Sequence, residues 1–414
     1  MRGARIAVIC TMLLALPVAG EASDKLTTLY RFKGYPDGQN PSGPIATDKS
    51  GDLFGTTETG GATNLGTVFE VSPPASGQTS WTEKILWDFD KKQGAYFPQY
   101  GLVSDRRGDL YGTTPGYARN ECGTVFRVFQ GAGGRHAQIL WKFGGSTVND
   151  GCHPSTALIV GANRVLYGVT TGAGNPNNQG TVFSVTPPSD GSGKWTETIL
   201  AQLANSGVGA YTNAQLVRDG AGNLYGTSQG ETGIASTWEL SPPTGGLTDW
   251  TLKQLWTLPK NFGFPSNGPL ALDASGALYG TAGGGKYNAG IVYKLAPPRD
   301  GGTTWTATIL WSIVGGSGGG NPTSGPVFAP DGGLIVPTLQ YNSQGYETNS
   351  EILKLMPPAG SGTRWVPQLL WNFDGDGNGI DSELPPLARS DGRVFGTTFM
   401  DSGVGFGTVW ELTP

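Results

Sequence analysis

Three groups of residues have types and spacing that could do chemistry, and the first is a pair of cysteines. Cys122 and Cys152 are the two cysteines that follow the apolar N-terminal segment. In an oxidising compartment an isolated pair of this kind favours a disulfide. The alternative is two free thiols that react or bind a metal, but the chain has only 2 histidines to complete a Cys/His zinc site.

The second group is a short acidic segment. Asp374, Asp376 and Asn378 alternate as the first ligands of a calcium loop do, and Gly379 stands where such a loop turns sharply. The acid that closes the loop is missing, because Pro385 occupies its place. The segment therefore predicts either a calcium site or a Gly/Asp-rich turn without a metal.

The third group consists of aromatic residues in segments rich in glycine, asparagine and proline, which are typical of loops. Their flat apolar faces and polar edges suit stacking on sugars, although such rings can also pack inside a fold. The predicted ligand-binding residues are Tyr35, Tyr96, Tyr117, Tyr211, Phe264 and Tyr287.

Carboxylates for a hydrolase or lyase lie in the same kind of segment. No spacing among them selects a catalytic pair. No G-x-S-x-G, nucleotide-loop or haem motif is present in the sequence. The acids concerned are Asp37, Glu58, Glu121, Asp150, Glu231 and Asp401.

One repeated unit of about 57 residues must position all of these groups. Each copy holds four short β-branched or aromatic runs, which we name strands A (PLAL-like), B (LYGT), C (GTVF) and D (TILW-like). Seven copies of four strands predict an all-β, seven-bladed β-propeller with four antiparallel strands per blade. The glycine of strand B marks the copies at Gly55, Gly112, Gly168, Gly226, Gly280 and Gly396, with Val336 in the equivalent place of the sixth copy.

The two ends of the chain are out of phase with the repeat. Residues 26–32 match strand D, yet no strand A, B or C precedes them, and the last copy stops after strand C at Pro414. We predict that residues 26–32 complete the last blade and close the ring, so that no open edge remains between the first and last blades. A linear β-solenoid is the alternative, but it would need capping units.

In a propeller the B–C and D–A loops emerge on one face, which is where the candidate cysteines, acids and aromatic rings are expected. We call it the loop face. The aspartates of the A–B turns belong to the opposite face, and we expect them to be structural. They are Asp48, Asp105, Asp219, Asp273, Asp331 and Asp391.

The N-terminal segment predicts export. Arg2 and Arg5 precede an apolar run that is followed by small residues near Ala22, the order found in signal peptides. We therefore expect a signal peptide at 1–22, a propeller at 23–414, and an extracellular or periplasmic protein. No later segment is long and apolar enough for a membrane span. The net charge is −5 and no basic patch is evident, so nucleic acid is not an expected partner.

The repeat LYGTT…GG…GTVF resembles the GloVer tandem repeat of choice-of-anchor proteins from bacteria, over nearly the whole mature chain. The resemblance implies export and a surface or extracellular life without a settled activity. Many such relatives end in an anchoring tail, whereas this sequence stops at Pro414, so the sequence leaves the anchoring state open.

We predict a binding protein whose ligand, a polysaccharide or another surface protein, sits on the loop face. The alternatives are a glycan-acting hydrolase or lyase with acids from several loops, and a purely structural surface protein.

Overall fold

The computed structural model describes residues 25–413 except for 93, 117–120, 145–149, 174–179, 190–192, 204–205, 210–211, 213, 230–234, 246–247, 264, 266–267, 300–301, 315–319, 342–346, 361, 374–384 and 401–404. These residues form seven separate antiparallel sheets, each with strands in the order A, B, C, D. The fold is therefore a seven-bladed β-propeller, as the repeat predicts.

The strands of the first four blades follow in chain order. Strand β1 is Lys25–Arg31. Blade 1 has β2 Gly38–Thr47, β3 Leu53–Gly60, β4 Thr67–Ser72 and β5 Thr82–Asp88. Blade 2 has β6 Val103–Ser104, β7 Leu110–Thr114, β8 Thr124–Gly131 and β9 Gly134–Lys142. Blade 3 has a divided inner strand, β10 Gly151–Pro154 and β11 Ile159–Val160, then β12 Leu166–Ala173, β13 Thr181–Thr186 and β14 Thr196–Gln202. Blade 4 has β15 Val217–Arg218, β16 Leu224–Gln229, β17 Ala235–Ser241 and β18 Thr251–Thr257.

The last three blades complete the set. Blade 5 has β19 Ala271–Leu272, β20 Leu278–Ala282, β21 Ile291–Ala296 and β22 Thr306–Ser312. Blade 6 has β23 Asn321–Pro322, β24 Val327–Phe328, β25 Leu334–Tyr341, β26 Glu347–Met356 and β27 Val366–Phe373. Blade 7 has β28 Leu387–Ala388, β29 Val394–Thr398 and β30 Thr408–Thr413. Single 3-10 turns occur at Ala162–Arg164 and Lys260–Phe262, and the described part of the chain contains no helix long and apolar enough to cross a membrane.

The glycine of strand B is explained by its partner on strand C. Gly55 pairs with Phe69, and a Cβ at Gly55 would lie 2.5 Å from the Phe69 ring. In blade 6 both residues of the pair differ: valine replaces the strand B glycine at Val336, and its strand C partner is Leu353 in place of an aromatic residue. The LYGT and GTVF motifs are thus two halves of one packing contact. The other pairs are Gly112–Phe126, Gly168–Phe183, Gly226–Trp238, Gly280–Tyr293 and Gly396–Trp410.

The turn aspartates hold the A–B turns, as predicted. One oxygen of Asp105 accepts the backbone N–H groups of Arg107 and Asp109, and the other accepts the Tyr111 hydroxyl at 3.1 Å. Asp219 and Asp273, in blades 4 and 5, likewise accept the backbone N–H four residues further on and the hydroxyl of the strand B tyrosine. In blades 2, 4 and 5 the aspartate therefore connects its turn to the tyrosine of its own strand B.

The core is divided among seven apolar clusters, each between two consecutive blades. The tryptophan that begins strand D packs against the strand B tyrosine of the preceding blade. The ring centroids of Trp195 and Tyr111 are 6.2 Å apart, for example. In blade 2 Arg135 replaces this tryptophan, and its guanidinium lies 4.9 Å from the centroid of the Phe54 ring.

The N-terminal strand joins the last blade. β1 pairs antiparallel with β30, with Lys25 opposite Thr413 and Arg31 opposite Thr408. The Phe32 N–H donates to the Gly407 carbonyl at 3.1 Å. The predicted pairing of residues 26–32 with the seventh blade is thus observed. It favours closure of the ring, which stays a prediction.

Candidate functional site

The inner strands approach one another so closely near the axis that side chains are excluded at several positions. A Cβ at Gly43 would lie 1.8 Å from the Gly101 nitrogen, and a Cβ at Gly268 would lie 2.1 Å from the Gly325 nitrogen. Contacts this short require backbone against backbone, so glycine is needed at Gly43 and Gly268. These glycines allow the inner strands of neighbouring blades to approach closely near the axis.

A cavity of about 350 Å³ lies where the inner strands meet. Glu58 and Phe399, at the ends of two B strands, and Tyr100, from a D–A loop, form part of its wall. The cavity therefore lies at the loop-face end of the axis. Every blade contributes to it, through Ser42, Gln99, Thr156, Gln215, Pro269, Thr323 and Thr397 in blade order.

Hydrogen bonds between neighbouring blades fix this wall. The Ser42 hydroxyl donates to the Gln99 carbonyl, and the Ser155 hydroxyl donates to the Thr212 carbonyl at 3.1 Å. Both pairs are 57 residues apart, the length of one repeat. Each bond therefore connects equivalent segments of adjacent blades, so the wall is held in place before any ligand arrives.

The wall is mostly neutral and polar. Glu58 is the single carboxylate among the described residues that line the cavity, and it accepts a hydrogen bond from the Gln99 amide at 2.7 Å. The described lining includes no lysine, arginine or histidine. The hydroxyl oxygens of Thr156 and Thr323 are buried and have no hydrogen-bond partner among the described residues. Such orphaned groups cost about 1–3 kcal/mol each, which a ligand hydroxyl would offset.

The predicted aromatic residues do not form one cluster. Tyr35 is 68% exposed and Tyr287 is 47% exposed, but they lie on loops of blades 1 and 5, and neither lines the cavity. Tyr96 is only 8% exposed and belongs to the core between blades 1 and 2, so its ring offers little surface to a ligand. Tyr117, Tyr211 and Phe264 lie outside the described residues.

The predicted acids have different surroundings. Asp37 accepts hydrogen bonds from the Tyr30 hydroxyl and from two backbone N–H groups, so it shapes its own loop. Asp150 accepts the Gly144 N–H at 3.0 Å. Glu58 alone among the described acids reaches the cavity. Glu121 does not line it, and Glu231 and Asp401 lie outside the described residues.

The metal prediction concerns residues outside the described part of the chain, since Asp374, Asp376 and Asn378 all fall there. Within the described residues, no group of three or more His, Cys, Asp or Glu side chains could hold a metal ion. The calcium site therefore stays a prediction.

The cysteine prediction is confirmed. Cys122 and Cys152 form a disulfide with a Cα–Cα distance of 4.4 Å. The bond joins the end of the B–C loop of blade 2 to the inner strand of blade 3. The adjacent His153 makes two contacts with the backbone of blade 2. Its main-chain N–H donates to the Cys122 carbonyl, and its ring Nδ1 lies within hydrogen-bond distance of the Pro115 carbonyl. The residues around the disulfide fix the junction of two blades on the loop face.

Sequence analysis missed the cavity hydroxyls of Ser42, Thr156 and Thr323. They lie just before the recognisable part of strand A, where the residue types vary from copy to copy. The spacing of the repeat could have revealed them, because Ser42, Gln99 and Thr156 follow one another at intervals of one repeat length.

Comparison with known proteins supports the repeat and the fold. A family model described as the Gloeobacter/Verrucomicrobia repeat matches residues 19–238, more than half of the chain. No curated protein sequence matches the chain significantly.

Several solved structures are similar over most of their length. Polysaccharide lyase Uly1 is 9% identical, with 92% of each chain covered and a TM-score of 0.50. A PL25 ulvan lyase is 12% identical over 92% of this chain and 95% of that chain, with a TM-score of 0.47. A protein of unknown function from Dyadobacter fermentans DSM 18053 is 12% identical over 94% and 96% of the two chains, with a TM-score of 0.44. At 9% identity, the likeness to Uly1 supports the fold alone.

Proposed function

This chain belongs to the Gloeobacter/Verrucomicrobia repeat family, and from its axial cavity we propose that it is an exported propeller that binds a neutral polysaccharide on the loop face. The observation that carries the proposal is the chemistry of the cavity wall, which is neutral and rich in hydroxyl and amide groups. A disulfide at the loop face is consistent with life outside the cytoplasm.

The size and polarity of the cavity suit one or a few sugar units. Its volume of about 350 Å³ is at the lower end of the range found for small-ligand pockets, ~300–1,000 Å³. The Thr156 and Thr323 hydroxyls offer unused donors and acceptors, and the half-buried rings of Tyr100 and Phe399 provide apolar surface beside them. Sugar hydroxyls would satisfy the former while sugar C–H faces pack on the latter.

The charge of the wall favours a neutral glycan over an acidic one. Glu58 would repel a uronate or a sulfate, and the described lining contains no cation to offset that repulsion. Glu58 can instead accept a hydrogen bond from a sugar hydroxyl, held in position by Gln99.

The test is a glycan array followed by calorimetric titration of the glycan that binds. The informative variant is Thr156→Val, which replaces the hydroxyl with a methyl group of similar volume. We expect binding to weaken about three- to tenfold, the effect of one lost hydrogen bond. Stability should not fall, because the hydroxyl has no partner among the described residues.

The matched control is Thr338→Val. The Thr338 hydroxyl is also buried without a partner among the described residues, but it does not line the cavity. Equal binding by Thr156→Val and the wild type would place the ligand elsewhere on the loop face. Binding to no neutral glycan at all would rule out the carbohydrate and leave a surface protein as the partner.

The same samples distinguish binding from catalysis. Release of shorter glycans from a polymer, abolished by Glu58→Gln, would instead make the protein a hydrolase or lyase. The presence of one carboxylate in the described lining favours binding, since hydrolysis of a glycosidic bond ordinarily uses two.

A further inference from the structure

The face opposite the loop face carries a groove lined by arginines. The A–B turns of blades 2 and 3, together with Arg218 at the end of strand β15 in blade 4, enclose a space of about 620 Å³ lined by Arg106, Arg107, Arg164 and Arg218. They come from three separate parts of the sequence, and they meet because the A–B ends of consecutive blades are adjacent. The expectation that the chain has no basic patch is therefore wrong for this face, although the net charge is −5.

These four arginines differ from the two arginines on the A–B turn of blade 7. Arg389 and Arg393, on the A–B turn of blade 7, both form ion pairs with Asp391, at 3.7 and 2.8 Å. The groove arginines make no ion pair with any described residue. The Arg218 Nε is buried and has no hydrogen-bond partner in the described part of the chain.

One carboxylate, that of Asp105, also lines the groove. Both its oxygens are already used within its own turn, by backbone N–H groups and by the Tyr111 hydroxyl. The described lining therefore holds four positive charges against one negative charge, and guanidinium groups remain unpaired.

The turn of blade 3 departs from the repeat in a way that increases this imbalance. Gly161 stands where blade 2 has Asp105, so the turn acid is absent. Arg164 stands where blade 2 has Gly108, and it adopts φ +63°, next to Asn163 at φ +54°. A left-handed conformation at a non-glycine residue is unfavourable. The blade thus has an arginine at the position that glycine fits best, and strain of this kind is common at functional sites.

We propose that this groove binds a polyanionic ligand through its phosphate or sulfate groups. The planar guanidinium donates two parallel hydrogen bonds to such a group, and several of them around one groove suit a ligand with more than one negative charge. The site is separate from the axial cavity and does not depend on the glycan proposal.

The experiment is calorimetric titration of the whole protein with pyrophosphate at low ionic strength. We expect saturable binding that weakens as salt is added. Arg164→Gly should weaken it about tenfold, as the loss of a charge-assisted hydrogen bond would. The same variant should unfold at a higher temperature, because glycine adopts the left-handed conformation without strain.

The control is Arg389→Gln, which removes the same charge from the same face but from an arginine that is ion-paired. We expect its affinity for pyrophosphate to match that of the wild type. Equal weakening by Arg164→Gly and Arg389→Gln would show that only the overall charge matters, and would overturn the proposal. An absence of saturable binding by the wild type would also overturn it.

A parallel titration with dextran sulfate and dextran identifies the source of the anion. Binding of dextran sulfate but not dextran, lost in Arg164→Gly, would support the proposal with a sulfated polymer as ligand. Binding of pyrophosphate alone would support it with a small ligand. Thr156→Val should change the binding of neither anion. Failure of the groove proposal can therefore be distinguished from failure of the proposal for the axial cavity.

Discussion

Two half-buried glutamates on outer strands link the stability of the folded state to pH. Glu83 and Glu197 occupy equivalent places in the WTE segments of blades 1 and 3, where blade 4 has Leu252. One carboxylate oxygen of each is buried without a partner among the described residues. Burial raises the pKa of Glu83 to about 7, with repulsion from Asp37 adding to the rise and Lys33 opposing it. Burial, with Asp150 nearby, raises the pKa of Glu197 to about 7 as well.

This gives a prediction for stability against pH. A folded-state pKa near 7 exceeds the ordinary 4.5, so the native state binds more protons than the unfolded state between these values. The stability contributed by each group is fully present below pH 4.5 and is lost as pH rises through 7. Glu83→Gln with Glu197→Gln should remove that loss, about 1–2 kcal/mol per group after allowing for partial exposure.

Urea unfolding at pH 5 and pH 8 measures the effect. The double variant should lose less stability than the wild type between the two pH values. Asp249→Asn, at an exposed position, serves as the control and should follow the wild type. An identical pH dependence in the double variant would show that the two carboxylates are already ionised in the folded protein.

At the scale of strands, each blade depends on the match of a small residue on strand B with a large one on strand C. A Cβ at Gly226 would lie 2.4 Å from the Trp238 ring. Gly226→Val should therefore destabilise the protein by about 1–3 kcal/mol through overpacking. Adding Trp238→Leu recreates the Val336–Leu353 pair of blade 6 and should restore part of the loss.

A double-mutant cycle by urea unfolding tests this match. We expect a favourable coupling of about 0.5–3 kcal/mol between the two substitutions. Additive losses would mean that blade 6 tolerates valine for a reason other than its leucine partner.

Strands were also the scale at which sequence reasoning succeeded. The blades and the turn aspartates follow from patterns that lie within one copy of the repeat, such as LYGT and Asp-x-x-Gly, and the pairing of β1 follows from the phase of the two chain ends. The cavity wall could not be found in this way, because Ser42 and Thr156 come together only when different copies surround one axis. Tyr96 was predicted at the surface for a similar reason, since a ring in a glycine-rich loop can turn into the junction with the next blade.

Across the whole molecule, stability depends on the junctions between blades, and these are unequal. A tryptophan fills most of them, but between blades 6 and 7 the strand B aromatic is replaced by Ile335. A groove of about 240 Å³ lined by Ile335, Leu370 and Leu412 remains there. The junction between blades 7 and 1 is instead well filled, by a cluster that includes Leu29, Phe32 and Phe395.

Closure of the ring can be tested at the junction between blades 7 and 1, because equivalent phenylalanines directly follow strand D in different blades. Phe32 is fully buried, and its ring centroid lies 5.1 Å from that of Phe69 in blade 1. Phe89 is also fully buried, and its ring centroid lies 5.2 Å from that of Phe126 in blade 2.

If the ring is closed, Phe32→Ala should lower the free energy of unfolding by about 3–5 kcal/mol, as much as Phe89→Ala. Each truncation then leaves a cavity at a junction that is packed by both neighbouring blades. If the ends separate in solution, Phe32 loses its contacts with blade 1 in the wild type already, and its truncation should cost far less. Urea unfolding of the two variants therefore decides between a closed ring and an open one.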